Sequence, residues 1–222
     1  MIPPDSDADF AAAMEEVLAV YARPIDPEHP VVCMDEQPIQ LLKETRRVIP
    51  GTKKHPKRVD YEYERAGTAS IFLFCEPLAG WRQVTVREHR TKIDWAQEVA
   101  GLMENQYSKA IKVTLVCDNL NTHTKGAFYQ AFPAARARRI VERLELCHTP
   151  KHGSWLNISE NELSSMTTQC VKGRRFATIK QLREETKAWY TRTNSRHRLV
   201  DWQMSIGDAR TKLKSVYPKF IE

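Results

Sequence analysis

The sequence lacks long hydrophobic runs and any segment typical of a targeting signal. No apolar stretch in its 222 residues approaches the roughly 18–20 residues that a membrane-spanning helix requires. Residues 1–5 (MIPPD) do not form a basic region followed by an apolar stretch, so we expect no secretory signal. The sequence therefore predicts no membrane partner and a location in the cytoplasm.

Glycine is also scarce, and repeats and low-complexity stretches are missing. The chain has only 8 glycines beside 12 prolines, which argues against a collagen-like or globally disordered chain. Hydrophobic residues make up 41% and charged residues 28%, a composition typical of a folded domain. The length suits one domain, or one domain with an appended lobe.

Paired cysteines are missing as well. The five cysteines are widely spaced and none forms a C-x-x-C pair, so we expect buried, reduced thiols at each position: Cys33, Cys75, Cys117, Cys147 and Cys170. A zinc site that uses Cys147, His148 and His152 is the alternative, although this spacing fits no standard ligand pattern.

Positive charge is nearly absent from the first 42 residues and abundant after them. The net charge of +6 divides into −8 for residues 1–42, +6 for residues 43–58 and +8 for residues 59–222. Such asymmetry suggests an acidic leader followed by a body that binds a polyanion. A solvated basic face is the alternative interpretation of any single cluster.

Hydrophobic periodicity predicts an alternation of helices and strands. We expect helices at 7–21, 92–107, 136–143, 154–170, 178–193 and 205–216, and strands at 31–34, 58–65, 68–76, 81–87, 113–117 and 144–148. Ala66-Gly67 is interpreted as the turn of a hairpin. The wholly apolar runs at 31–34 and 113–117 indicate central, mutually parallel strands that are buried on both faces.

An aspartate follows each of these two apolar strands. Ligand sites in open α/β sheets form at the carboxyl ends of strands, where we place Asp35 and Asp118. Two strand-end carboxylates and a third from a helix supply the oxygen ligands that Mg²⁺ prefers. Two such ions can stabilise the attacking and leaving oxygens of a phosphoryl displacement.

The third carboxylate has two candidates, Glu160 and Glu162, on the helix predicted at 154–170. They point about 200° apart on a helix, so only one can face the aspartates. Leu156 and Leu163 mark the apolar face, and the spacing favours Glu160 only slightly. Taken alone, each aspartate can be interpreted as an ordinary turn residue and each glutamate as a solvent-exposed helix residue.

Three blocks of sequence carry a resemblance to a known family. Residues 31–36 (VVCMDE), 117–123 (CDNLNTH) and 149–160 (TPKHGSWLNISE) resemble the DDE domain of mariner-like transposases, in the bacterial insertion-sequence branch. The resemblance extends to about Tyr217, and its second and third blocks are the most specific. It implies an α/β, ribonuclease H-like fold with a mixed five-stranded sheet flanked by helices.

The resemblance also implies metal-dependent DNA strand cleavage and strand transfer that move an insertion sequence. It assigns Asp35, Asp118 and Glu160 as the catalytic triad that holds two Mg²⁺ or Mn²⁺ ions. Four further residues are expected to orient the triad and the DNA phosphate: Asn119, Asn121, His123 and Asn157. Double-stranded DNA, both transposon ends and target, is expected to contact Lys43, Arg46, Arg47, Lys53, Lys54, Lys57, Arg58, Lys151, His152, Trp155, Lys172, Arg174 and Arg175. His123 as a helix-start residue and Trp155 as a core residue are the alternatives.

The chain departs from the family pattern in a few places. Ile158-Ser159 stands where the family commonly has Met-Ala, and Asn161 replaces an apolar residue. Such transposases typically carry helix-turn-helix domains before the catalytic domain, whereas the present sequence starts at the predicted leader helix. We therefore expect a fragment, or a split transposase with a separately encoded helix-turn-helix subunit, that forms a homodimer associated with a bacterial nucleoid.

The predicted organisation is a leader helix and Pro-rich connector at 1–30, the catalytic domain at 31–172, and basic C-terminal helices packed on it at 173–222. Two other functions stay open. One is a catalytically inactive, DNA-binding remnant of a transposase, and the other is a different ribonuclease H-like nuclease, against which the block at 149–160 argues.

Overall fold

The computed structural model describes residues 7–46, 49–56 and 60–218. Its five strands are β1 (Val31–Glu44), β2 (Tyr63–Glu76), β3 (Trp81–Arg87), β4 (Val113–Cys117) and β5 (Leu144–His148). They form one sheet in the order β3-β2-β1-β4-β5. The β1–β2 and β2–β3 pairs are antiparallel, whereas the β1–β4 and β4–β5 pairs are parallel. The predicted mixed five-stranded sheet is thus present.

Helices cover both faces of this sheet. They are α1 (Ala8–Tyr21), α2 (Lys92–Glu104), α3 (Lys125–Ala131), α4 (Ala134–Arg143), α5 (Ile158–Met166), α6 (Ile179–Asn194) and α7 (Ile206–Lys212). The helix α3 was not predicted. The helix predicted at 154–170 is divided into a 3-10 turn (Ser154–Leu156), α5 and a π-helical turn (Thr167–Val171). The first break occurs because the backbone of Asn157 is extended, with φ −84° and ψ 107°.

Strand alternation builds two hydrophobic cores. Cys33 and Val116 point to the core that α1, α5 and α6 cover, whereas Val32 and Leu115 point to the core that α2, α3 and α4 cover. Every residue of β4 is buried. The prediction of central strands buried on both faces is confirmed for β4 and for the start of β1.

The strand β1 is longer than predicted. Its parallel pairing with β4 ends at Cys33–Val116, but β1 continues to Glu44 because its antiparallel pairing with β2 continues. Asp35 therefore lies inside a strand, just beyond the parallel pairs, and not after its end.

The predicted hairpin at Ala66-Gly67 is wrong. Both residues lie inside the continuous strand β2, and the pairing register shifts between Gln40 and Leu42 on the neighbouring strand. Gly67 has φ +95°, a conformation that glycine adopts without steric cost. This irregularity is a bulge, which has the same glycine signal as a turn but does not reverse the chain.

The C-terminal segment packs on the core that contains α1. Leu182 and Trp189 of α6 are buried there, and the Asp7 N–H donates to the Val216 carbonyl at 2.9 Å. The division of the chain at residue 172 stays a prediction. Within the described ranges, no helix is long and apolar enough to span a bilayer.

The five cysteines are all buried and free, as predicted. No three His, Cys, Asp or Glu side chains of the described residues stand close enough together to hold a zinc ion through Cys147. Nε2 of His148 instead lies 3.0 Å from the carbonyl oxygen of His123.

Candidate active site

Asp35 lies on the face of β1 that α5 covers, two residues beyond Cys33. The Glu36 N–H donates to its Oδ1 at 2.7 Å. Burial raises the pKa of Asp35 to about 7; this hydrogen bond opposes the rise, and the negative charges of Asp118 and Glu160 add to it. Asp118 and Glu160 therefore both lie near enough to Asp35 to disfavour its ionisation.

Asp118 follows β4 and contacts a buried histidine. Its Oδ1 lies 2.8 Å from Nδ1 of His123, and this nitrogen also lies 3.1 Å from the Asp118 carbonyl oxygen. Nε2 of His123 donates to Oε1 of Glu36 at 3.0 Å, and the Trp95 ring stacks on the imidazole at 5.2 Å. Burial lowers the pKa of His123, but its contacts with Asp118, Cys117 and Glu36 raise it to about 12. The imidazole is thus a cation between two carboxylates.

Glu160 is placed by the start of α5. Asn157 caps this helix by accepting from the Ser159 N–H at 3.2 Å, and its Nδ2 donates to the Met34 carbonyl at 2.9 Å. The second bond ties the first turn of α5, which contains Glu160, to the residue before Asp35. Asn157 therefore fixes the start of α5 against β1; its predicted role beside the triad stays a prediction.

Glu162 has a different environment, which separates the two glutamate candidates. It is only 2% exposed, and its carboxylate accepts from Nε of Arg82 at 2.9 Å and from Nη2 at 3.0 Å. Nη2 of Arg198 donates to the same two oxygens at 2.8 and 2.6 Å. Because Glu162 already has these partners, Glu160 is the glutamate available to the two aspartates.

The donor set fits a hard divalent cation in its chemistry. Asp35, Asp118 and Glu160 offer only oxygen ligands, which Mg²⁺ and Mn²⁺ accept. Oδ1 of Asp118 is buried and receives no hydrogen bond of good geometry, although His123 is close to it. A cation would also offset the burial and the nearby negative charges that raise the pKa of Asp35. As the side chains stand, no three His, Cys, Asp or Glu of the described residues converge closely enough to hold a metal.

The remaining residues predicted near the triad lie in two segments, one after β4 and one before α5. Asn119 and Asn121 are exposed in the segment after β4, and Lys151 and His152 are exposed in the turn before α5. The Trp155 side chain is half-buried against the core that contains α1, and its Nε1 is buried without a hydrogen-bond partner. The packing of Trp155 agrees with the alternative interpretation as a core residue.

The basic segment at 43–58 is only partly described. Lys43 pairs with Glu64 at 3.1 Å and Arg46 with Asp60 at 3.2 Å; both basic side chains are well exposed. Two more lysines are exposed: Lys53 and Lys54. Three predicted contacts lie outside the described residues: Arg47, Lys57 and Arg58.

The second basic group, at 172–175, is partly used within the protein. Lys172 is exposed, whereas Arg174 pairs with Glu185 on α6. Arg175 donates to Glu44 at 2.7 Å and to the Asp60 carbonyl at 2.8 Å. Arg175 therefore holds the outer parts of β1 and β2 instead of projecting into solvent.

Sequence reasoning missed Glu36, Arg82 and Arg198 as parts of the site. Strand periodicity contains the signal for Arg82, since it shares the alternation of Val84 and Val86, whose side chains are buried. A charged residue at a core position predicts a buried ion partner. Its partner is 80 residues away in sequence, so the pairing itself is not visible there.

The profile of a family described as DDE superfamily endonuclease matches residues 30–183, well over half of the chain. This confirms the DDE family to which the resemblance assigned the chain. The comparison with curated proteins gives no match.

Two solved structures have a similar fold. The catalytic domain of Mos1 mariner transposase is 13% identical with a TM-score of 0.54, and the alignment covers 89% of this chain and 90% of that one. The Mos1 mariner paired-end complex with Mn is 13% identical with a TM-score of 0.56, covering 99% of this chain and 66% of that one. This chain thus spans just under two thirds of the transposase in that complex. The likeness confirms the predicted ribonuclease H-like fold, with a mixed five-stranded sheet flanked by helices.

Proposed function

The chain belongs to the DDE superfamily endonucleases, and from this premise we propose that it is the catalytic domain of a mariner-like transposase of the bacterial insertion-sequence branch. It would cleave DNA strands with divalent metal ions and transfer the freed strand to a target. The observation that carries the proposal is geometric: Asp35 and Asp118 lie just beyond the parallel pairs of β1 and β4, and Asn157 ties the first turn of α5, which contains Glu160, to Met34.

The proposed metal ligands are Asp35, Asp118 and Glu160, for two Mg²⁺ or Mn²⁺ ions. When bound, such ions supply Lewis-acid stabilisation of the attacking and leaving oxygens. The structures of the Mos1 paired-end complex with Mn and with Mg support the choice of ion.

The chain's own groups have distinct tasks in this proposal. The His123 cation, anchored by Glu36, restricts the orientation of the Asp118 carboxylate. Asn157 keeps the first turn of α5 against β1. We propose that Asn119 and Asn121, on the exposed segment after Asp118, and Lys151 and His152, before α5, contact a DNA strand. For Trp155 a DNA contact stays a prediction, because its side chain packs on the core.

Double-stranded DNA is the proposed substrate, as transposon ends and as target. Paired-end complexes of Mos1 support the DNA assignment. We propose a homodimer because two transposon ends must be held together. We propose that a helix-turn-helix subunit, separately encoded, recognises the ends, and that the protein acts at the bacterial nucleoid. The exposed basic residues of this chain would supply affinity without sequence specificity, because they contact phosphates.

The test is nicking of supercoiled plasmid by the purified chain in Mn²⁺. We expect Asp118→Asn to lower the nicking rate by at least about 100-fold, since a metal ligand is lost. DNA binding in a gel shift should be unchanged or stronger, because one negative charge is removed. Glu142→Gln is the matched control, since this exposed acid pairs with Arg138 on α4 and should leave nicking unchanged. Full nicking by Asp118→Asn would contradict the proposal, and a wild-type chain that binds DNA without nicking it would favour the inactive remnant.

A further inference from the structure

A buried ion cluster lies two residues beyond Glu160 on α5. It consists of Glu162, Arg82 on β3 and Arg198 in the segment after α6. We propose that this cluster is a positioning device, which fixes the rotation of α5 so that Glu160 points to Asp35. The inference rests on the proposed function, since it concerns the same metal site.

The cluster has the geometry of a rigid clamp. The side chains of Arg82 and Glu162 are 1% and 3% exposed, and two N–H groups of the same guanidinium each reach one carboxylate oxygen. Arg198, whose side chain is 44% exposed, closes the cluster from the outside by contacting both oxygens. A two-pronged arginine contact restricts the direction of a carboxylate more than a single hydrogen bond does.

Stability alone gives a weak reason for this cluster. Removing an arginine and a glutamate from water costs about as much as their attraction returns, and apolar residues of similar volume often stabilise a core equally well. The charged pair adds a defined orientation of the Glu162 carboxylate relative to Arg82. This distinction between stability and orientation can be measured.

Orientation of Glu162 sets the orientation of Glu160 because both belong to one helix. A helix rotates by about 100° per residue, so the two side chains point about 200° apart and move together. A rotation of roughly 20° would displace a carboxylate about 5 Å from the helix axis by roughly 2 Å. Displacements of about 1 Å can lower a rate by about 100-fold. The start of α5 is fixed at Met34 by Asn157, and the cluster fixes its next turn.

The C-terminal segment supports both arginines. The Arg82 N–H donates to Oδ1 of Asn194 at 2.9 Å, and Nδ2 of Asn194 donates to the Arg82 carbonyl at 2.8 Å. Asn194 ends α6, and Arg198 follows four residues later. The end of α6 and the segment after it, predicted to pack on the catalytic domain, would thus also position the carboxylate of Glu160 through α5.

The experiment replaces the buried pair by apolar residues in the full chain, as Arg82→Met with Glu162→Leu. We expect this double variant to fold with a thermal midpoint near that of the wild type, yet to bind Mn²⁺ about tenfold more weakly and to nick plasmid with a kcat lowered by about 10- to 100-fold. The KM for plasmid should stay within about twofold, because no proposed DNA contact is changed. Mn²⁺ affinity and kcat equal to those of the wild type would overturn the inference.

A second variant covers the case in which the double variant does not fold. Arg198→Gln keeps the Arg82–Glu162 pair and alters a half-exposed side chain. We expect a lower kcat at unchanged KM, whereas a change in KM alone would identify Arg198 as a DNA contact and overturn its positioning role. Arg138→Gln, which removes an exposed arginine paired with Glu142, is the control.

Mn²⁺ binding to Asp35→Asn separates this inference from the proposed function. If that variant binds Mn²⁺ as well as the wild type does, the metal site itself is misplaced. If it loses Mn²⁺ while the cluster variants keep full affinity and kcat, only the positioning inference is wrong.

Discussion

At the scale of single residues, the fold disfavours ionisation of Asp35, the form that a solvent-exposed aspartate prefers at neutral pH. Its carboxyl is largely buried, with two further carboxylates near it and one backbone N–H as a compensating donor. Ionisation is therefore disfavoured in the metal-free protein. The sequence predicts Asp35 as a metal ligand. It does not predict the raised pKa, because this depends on burial and on Asp118 and Glu160, which lie far away along the chain.

The raised pKa of Asp35 predicts a pH dependence of stability. The carboxyl has a pKa of about 7 in the folded protein against a usual value of 3.8, so the folded state favours its protonated form. The protonated carboxyl therefore stabilises the folded state fully below the pKa of the unfolded state, and this stabilisation is lost as the pH rises through the pKa of the folded state. In chelator, the free energy of unfolding should fall by up to about 4 kcal/mol between pH 4 and pH 7 on account of Asp35. Asp35→Asn should remove this slope in urea titrations; an unchanged slope would contradict the assignment.

Gly153 is required by close packing in the turn before α5. A Cβ at this position would lie 2.5 Å from Cγ and 3.0 Å from the carbonyl oxygen of Pro150. We expect Gly153→Ala to lower the free energy of unfolding by about 1–3 kcal/mol in a denaturant titration. Gly126→Ala is the control, since its Cβ would meet only Thr124 Oγ1 at 3.7 Å and should stabilise α3 by up to about 1 kcal/mol. Equal changes in the free energy of unfolding for the two variants would contradict the claim that Gly153 is required by its close packing against Pro150.

At the scale of elements, periodicity predicts the cores of helices and strands better than their ends. The apolar runs 31–34 and 113–117 locate the central strands, because burial on both faces requires such runs. The outer half of β1 mixes polar and apolar residues, and it continues as a strand because β2 pairs with it. The bulge at Gly67 resembles a turn in sequence, since both features need a residue with positive φ.

Arg175 contacts the ribbon formed by the outer halves of β1 and β2 (residues 40–44 and 63–68) and the segment that leads into it. Beyond the last β3 and β4 pairs these strands pair only with each other, and Arg175 ties them to the segment before α6. Arg175→Gln should accelerate amide exchange at 40–44 and 63–68 by about tenfold, with a change in global stability below about 1 kcal/mol. Arg174→Gln is the control because Arg174 pairs with Glu185 on α6. Unchanged exchange would show that strand pairing alone holds the ribbon.

For the whole molecule, the net charge of +6 is the sum of an acidic N-terminal part and a basic remainder. The first 42 residues carry −8 and include Asp35, which we propose as a metal ligand, and the remainder carries +14. Several predicted DNA contacts are already paired inside the protein, notably Arg174 and Arg175. Sequence composition predicts a basic body, but only the fold shows which basic groups are left for a phosphate backbone.

Exposed lysines near the ribbon should determine the salt dependence of DNA binding. Lys53→Gln with Lys54→Gln should reduce the slope of log K against log salt by up to about 2, since each phosphate contact contributes about 0.9. The control is Lys109→Gln with Lys112→Gln, because these exposed lysines precede β4, at the opposite end of that strand from Asp118. The slopes are measured on a duplex of arbitrary sequence. A larger change in the control than in the ribbon variant would place the DNA elsewhere.

The central claim is that Asp35, Asp118 and Glu160 form one metal site, and calorimetric titration with Mn²⁺ tests it most directly. Wild type, Glu160→Gln and the control Glu142→Gln are titrated under the same conditions. We predict that Glu160→Gln weakens Mn²⁺ binding by at least about tenfold while Glu142→Gln stays within about twofold of the wild type. Equal Mn²⁺ affinity in the wild type and Glu160→Gln would contradict the claim.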